Sequence, residues 1–227
     1  MNYKLLMPTY HARQNWALKT LDAVTRLGEV RHVINVGCGE GDIDHELRAR
    51  SAHLVSCDIL EGDIRHALTL NADWEAVYLV ADAQGLPFGD GSFDVACCFD
   101  VIEHVADPHA CLHELARIVR AGGHVVLTCP NARFPVTYDP VNWVLSRLGT
   151  HVSVGAFGYG HDWLVVEAEM VEWASAVGLR AIERTHLTKP FAAVFEAYRA
   201  TLAQKLKANK RDRLRPSRDD PPFLGVI

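Results

Sequence analysis

The run Val33-Ile34-Asn35-Val36-Gly37-Cys38-Gly39-Glu40-Gly41 limits this chain more than any other stretch. An apolar strand enters a turn in which every second residue is glycine. Glycines in this arrangement let the backbone reverse with φ > 0 and let a bound molecule touch main-chain atoms with no Cβ in the way. In an open α/β sheet, such a strand-to-helix turn stands at the crevice above the carboxyl ends of the strands, where ligands bind.

The surrounding pattern supplies that sheet. Helix and strand signals alternate from about residue 12 onward, the signature of a doubly wound, mostly parallel α/β sheet with helices on both faces. Strands are expected over 32–36, 53–57, 76–80, 93–99, 124–129 and 179–186, and the apolar run 223–227 reads as an added edge strand. An amphipathic helix is expected over 14–27, with Trp16, Leu18, Leu21, Val24 and Leu27 apolar and Gly28 as its stop. The clearest helix follows Asp107: that residue suits the N-cap, Pro108 the first turn, and Cys111, Leu115, Ile118 and Val119 share one face before Gly122. Further helices are expected over 165–177, capped by Gly178, and over 191–208.

Between these elements, residues 130–163 break the rhythm with glycines, prolines and Phe134, Tyr138, Trp143, Phe157, Tyr159 and Trp163. This stretch is expected to be an aromatic-rich insertion over the ligand crevice, within a single domain spanning 1–227. A chain of 227 residues that is 49% hydrophobic can bury a full core as one such domain. No apolar run approaches a membrane span, and residues 1–10 lack the regions of a secretory signal, so a soluble, cytoplasmic protein is expected. Cys38, Cys57, Cys97, Cys98, Cys111 and Cys129 fall mostly in strand-like segments without CxxC spacing, which reads as buried reduced thiols. A net charge of −5 argues against a general nucleic-acid binder.

Two acids point to a nucleoside. Asp58 ends the second expected strand, where a carboxylate can accept both ribose hydroxyls, and Asp82 follows the third, where one can accept from an adenine amine beside Ala83. Both also suit strand-end turns. The spacing is G-x-G-x-G, not the G-x-G-x-x-G of dinucleotide folds, and Asp42 and Asp44 follow at once. Those charges would repel a pyrophosphate, yet they are also the charges that a helix N-terminus favours. An NAD-linked oxidoreductase is the rival reading.

Together with Leu86-Pro87-Phe88, Ser92-Phe93-Asp94-Val95 and Val101-Ile102-Glu103-His104-Val105, these landmarks resemble the class I S-adenosylmethionine (SAM)-dependent methyltransferases, in particular the methyltransferase type 11 group. Cys129-Pro130-Asn131 and Gly160-His161-Asp162-Trp163 are similar to the ubiquinone-biosynthesis O-methyltransferases. The resemblance implies a Rossmann-like seven-stranded sheet with one antiparallel edge strand, and S-adenosylmethionine as methyl donor with S-adenosylhomocysteine as product. It implies that Asn35, Gly37, Cys38, Gly39, Gly41, Asp58, Ile59, Asp82, Ala83 and Asp100 hold the donor. Asn35 departs from the family, which has Asp or Glu there; an amide oxygen can accept a hydrogen bond but brings no charge, and another acid could substitute.

Methyl transfer to a hydroxyl needs a positioned base as well as alignment of nucleophile, methyl and sulfur. His161, in the aromatic insertion, is the first candidate and His104 the second. Structural roles stand beside both: a loop residue for His161, and for Glu103 and His104 a local network tying the loop to the next helix. His109 and His113 have metal-pair spacing but no third ligand, so a surface helix face is read and no metal is expected. The acceptor is expected to be a small, partly apolar molecule methylated on oxygen, with N- or C-methylation and a non-catalytic SAM-binding protein as alternatives. Lys205, Lys207, Lys210, Arg211, Arg213 and Arg215 would allow a peripheral membrane contact, or lie in solvent on a monomer or homodimer.

Overall fold

The computed structural model describes residues 8–73, 77–131, 144–145, 147–150 and 165–187. Helix α1 (Pro8–Leu27) leads into β1 (His32–Val36), followed by α2 (Asp44–Arg48), β2 (His53–Asp58), α3 (Glu61–Leu70), β3 (Val77–Val80), β4 (Phe93–Phe99), α4 (Pro108–Ile118), β5 (Val119–Thr128) and α5 (Glu167–Ala176). The five strands form one parallel sheet in the order β3-β2-β1-β4-β5. The chain order reverses between β1 and β4, so the crevice of a doubly wound sheet opens above the ends of those two strands.

Strand alternation sends side chains to two separate layers. Ile34, Val36, Ala96 and Cys98 pack with Cys111, Leu112, Leu115 and Ile118 of α4, while Met170 and Trp173 of α5 lie against that cluster. On the other face Val33, Val95 and Cys97 meet Ala17, Leu21 and Val24 of α1 and Leu47 of α2. Asn35 points to this second face, in register with Ser56 on β2 and Cys97 on β4. Its cap fixes where α4 begins: the Asp107 carboxylate accepts from the His109 and Ala110 amides at 2.9 and 3.1 Å, with Pro108 in the first turn. The six cysteines are free thiols, four of them buried.

Several expectations are corrected. Helix α1 begins at Pro8, ahead of residue 14, and Leu27 is 79% exposed, leaving Ala17, Leu21 and Val24 as its buried contacts. Helix α4 ends at Ile118, because Val119 is already extended and pairs with Phe93; the ladder then jumps to Val95–His124 through a bulge. Gly122 therefore turns a bulge, and a Cβ on Gly123 would stand 2.6 Å from the Asp94 carbonyl. Residues 179–186 form no strand, since the run is largely exposed and Asn131–Val165 is an isolated bridge with no ladder to extend. Seven strands and an antiparallel edge are not seen among the described residues; the run 223–227, the helix over 191–208 and most of 130–163 lie outside them. Among the described residues no helix is long and apolar enough to cross a membrane.

Candidate active site

The glycine turn is held to β2 by its own backbone. The Gly37 and Cys38 amides both donate to the Cys57 carbonyl, at 2.8 and 3.0 Å. Gly37, Gly39 and Gly41 have φ of 73, 54 and 74°, the left-handed region that side chains resist. A Cβ at Gly41 would meet Asn71, Ala67 and Tyr78 within 3.2 Å, whereas one at Gly39 would meet nothing within 4 Å. The loop is thus packed beneath and open above, the form of a cradle.

Asp58 closes one side of that cradle. Its Oδ2 accepts from the Gly39 amide at 2.8 Å and its Oδ1 from the Leu60 amide at 2.9 Å. Each carboxylate oxygen has a second lone pair, so both remain able to accept from a ligand hydroxyl. Ile59, next along, is 61% exposed and offers an apolar surface at the strand end.

The end of β4 forms the opposite wall. Asp100 has φ 54°, its amide donates to the Thr128 carbonyl at 2.9 Å, and its carboxylate takes Thr128 Oγ1 at 3.0 Å and Arg13 Nε at 2.9 Å. Glu103 is 1% exposed, and its Oε2 makes no hydrogen bond among the described residues. Burial, reinforced by the Asp100 charge, holds its carboxyl well above the usual carboxylate range. His104 Nε2 lies 4.0 Å from Glu103 Oε1 and its side chain is 40% exposed, so it reaches the crevice surface.

Asn35, Gly37, Cys38, Gly39, Asp100, Glu103 and His104 line one groove of about 1140 Å³, together with Arg13 of α1. Gly41, Asp58, Ile59, Asp82 and Ala83 are not part of its lining. Asp82 is engaged in a turn: its Oδ1 accepts from the Gln84 amide at 2.9 Å and side chain at 3.0 Å, while Gln84 Oε1 accepts from the Asp107 amide. Ala83 is buried beneath it. His161 and Asp162 lie outside the described residues. The His109 ring lies tilted at 50° against Trp173, with centroids 4.6 Å apart, and His113 is largely exposed, so the two point to separate surroundings.

Sequence reasoning missed Arg13 and Thr128, which carry no local motif. It also took Asp44 for a helix-terminal charge, whereas Asp44 is fully buried and accepts from Asn35 Nδ2 at 2.7 Å. The signal available was the apolar spacing of Ile43 and Leu47 around it, which turns this helix inward.

The sequence profile of the family described as "Methyltransferase domain" matches residues 34–127, which span β1 through most of β5. The chain is 28% identical over 159 residues to a ubiquinone biosynthesis O-methyltransferase of Alkalilimnicola ehrlichii, covering 66% of this chain and 61% of that protein. It is 31% identical over 173 residues to a demethylmenaquinone methyltransferase of Beutenbergia cavernae, covering 74% of this chain and 69% of that one. The chain belongs to the SAM-dependent methyltransferases.

Among solved methyltransferases the same fold appears in the N-methyltransferase NodS of Bradyrhizobium japonicum WM9, in complex with S-adenosyl-l-homocysteine, at TM-score 0.61 and 17% identity over 83% of this chain and 84% of that one. Membership sets the dinucleotide reading aside. A SAM-dependent methyltransferase must seat an adenosine and an amino-acid chain at the crevice, and the residues present fit both. The open face of Gly39, the spare lone pairs of Asp58 and the exposed Ile59 suit a nucleoside; the Asn35 amide oxygen and the lone pairs that Asp100 keeps beyond Arg13 and Thr128 suit a ligand with hydrogen-bond donors such as an ammonium.

Proposed function

We propose that this chain transfers the methyl group of SAM to a hydroxyl of a small, partly apolar acceptor. The observation that carries the donor half is the Gly39–Asp58 bond, which aims a carboxylate with free lone pairs across an open glycine turn. The acceptor half rests on the relatives, whose printed names concern ubiquinone biosynthesis and demethylmenaquinone. The chain spans 61% of the first of these, so the acceptor is argued by likeness alone.

When bound, SAM would supply an electrophilic methyl on a sulfonium: the acceptor oxygen bonds to it in line as the carbon–sulfur bond breaks, S-adenosylhomocysteine leaves, and the hydroxyl proton passes to a base. The chain's work is positioning. Asp58 and Ile59 hold the ribose and its base, the loop of Gly37, Cys38, Gly39 and Gly41 receives the sulfur chain, and Asn35 and Asp100 flank the amino-acid end. Asp82 and Ala83 close the adenine side, with Asp82 offering only the lone pairs that its turn leaves unused. His161 is the proposed base and His104, whose Nε2 lies 4.0 Å from Glu103 Oε1 at the crevice surface, is the alternate. The 130–163 insertion as an acceptor cover within a single domain, a cytoplasmic location, a monomer or homodimer, and an added antiparallel edge strand from residues near the C-terminus belong to the same proposal.

The test is a methyl-transfer assay with labelled SAM against phenolic, catecholic and amine acceptors. Product methylated on oxygen, lost in His161→Ala or His104→Ala while S-adenosylhomocysteine still binds, supports the reading. Product methylated only on nitrogen or carbon contradicts it.

A further inference from the structure

The glycine loop rests on a buried polar row that neither the sheet nor the helices require. Asn35 on β1, Ser56 on β2 and Tyr78 on β3 are register partners on one face of the sheet, and Asp44 of α2 lies against them. Asn35, Ser56 and Asp44 are each at most 1% exposed. Asp44 Oδ1 accepts from Asn35 Nδ2 at 2.7 Å, but Asp44 Oδ2, Ser56 Oγ and Tyr78 Oη make no well-formed hydrogen bond among the described residues.

A carboxylate taken out of water costs several kcal/mol unless something of opposite charge offsets it. The groups near Asp44 do not do so. Asn35, Tyr78 and Ser56 favour the carboxylate only as neutral polar groups, which does not outweigh its burial, and the neighbouring charge that acts on it, Asp42, has the same sign. Burial accordingly shifts the Asp44 carboxyl upward. What this pocket lacks is a cation.

The amide of Asn35 links that deficit to the groove. One N–H of the Asn35 amide is given to Asp44, so the amide nitrogen is turned toward that carboxylate; the oxygen is the acceptor the amide can offer, and Asn35 lines the groove beside Gly37, Cys38 and Gly39. We propose that Asp44 is a positioning residue for the amino-acid end of the donor: it orients Asn35 so that the amide oxygen accepts from the donor's ammonium, and lends that ammonium its charge from beneath the loop. The inference rests on the donor reading above and adds the anion that Asn35 itself does not carry.

Two ligands separate this role from simple packing. S-adenosylhomocysteine carries the ammonium; 5′-methylthioadenosine keeps the adenosine and thioether and lacks the amino-acid end. Calorimetric titration of Asp44→Asn in the full chain should weaken S-adenosylhomocysteine by about 10-fold or more and 5′-methylthioadenosine by less than about 2-fold. The exchange variant Asn35→Asp/Asp44→Asn, which moves the carboxylate to the groove side and keeps the bonded pair, should return S-adenosylhomocysteine to within about 3-fold of wild type. If the single variant does not fold, the exchange variant decides: selective loss of S-adenosylhomocysteine there overturns the proposal. An equal loss of both ligands in Asp44→Asn, or no loss, also overturns it. Wild-type protein that binds neither ligand would overturn the donor reading, and this inference with it; binding of both without selective loss overturns this inference alone.

Discussion

Arg13 Nε stands 2.9 Å from Asp100 Oδ2, tying helix α1 to the end of β4 at the one non-glycine residue with positive φ among the described residues. The pair is about one-third exposed on each side, so its Coulomb energy is modest. Its effect is geometric: it holds a strained backbone at the crevice mouth.

That strain sets an expectation for substitution. Asp100→Gly and Asp100→Ala lose the same Arg13 and Thr128 contacts, but only glycine is at ease at this φ. Asp100→Gly should therefore be more stable than Asp100→Ala by about 1 kcal/mol in urea denaturation, against the usual cost of glycine. Equal stability, or a more stable alanine variant, would mean that Asp100 is not strained in solution.

The glycine turn allows a cleaner contrast. Gly41→Ala forces a Cβ against Asn71 and Ala67 at a φ of 74° and should cost about 2–4 kcal/mol. Gly39→Ala meets open space and should cost only about 1 kcal/mol from its backbone, yet its methyl enters the donor's space and should abolish S-adenosylhomocysteine binding. Paired denaturation and calorimetry would check both; a Gly39→Ala protein that binds normally would refute the cradle.

How much of this could be read in the sequence follows from how local each signal is. Strands β1 and β4 were legible because each is an apolar run bounded by turn residues, and the α4 start because Asp107-Pro108 is a complete cap. The start of β5 was not: Ile118 and Val119 are both apolar, no breaker separates helix from strand, and Gly122 imitates a helix stop while serving a bulge. At the site, the glycines and Asp58 announced themselves through spacing. Arg13 did not, since its meeting with Asp100 is made by the fold alone, and Asp44 looked like a solvated helix-end charge until its burial against Asn35 was seen.

Acid stability should report on Asp94. Burial alone would raise its carboxyl, but hydrogen bonds from Arg120 and from the His32 and Arg31 amides outweigh it and hold the group down to about 2. A folded pKa below the unfolded value of about 3.9 means that this contribution is present above pH ~4 and fades as pH falls toward 2. Asp94→Asn should lose about 1–2 kcal/mol at pH 7 and progressively less below pH ~4, seen in denaturation across pH. A loss of the same size at pH 7 and at about 2.5 would contradict the assignment.

Thiol chemistry tests the core. Burial pushes Cys57 and Cys97 up to about 12 and raises Cys38 and Cys129, while Cys98 is raised first by its thiol hydrogen bond with Cys111 and then by burial. Thiolate is the reactive form, so an aromatic disulfide reagent at about pH 8 should label the half-buried Cys38 and Cys129 slowly and the other four only after unfolding. Rapid labelling of more than two thiols in native protein would refute this packing.

The most direct measurement is calorimetric titration of the purified chain with S-adenosylhomocysteine and with NAD, in wild type and in Asp58→Ala. Saturable S-adenosylhomocysteine binding, weakened at least about 10-fold by Asp58→Ala, with no heat from NAD, is the expected result. Binding of S-adenosylhomocysteine that Asp58→Ala leaves unchanged, or binding of NAD in its place, would contradict the donor site described above.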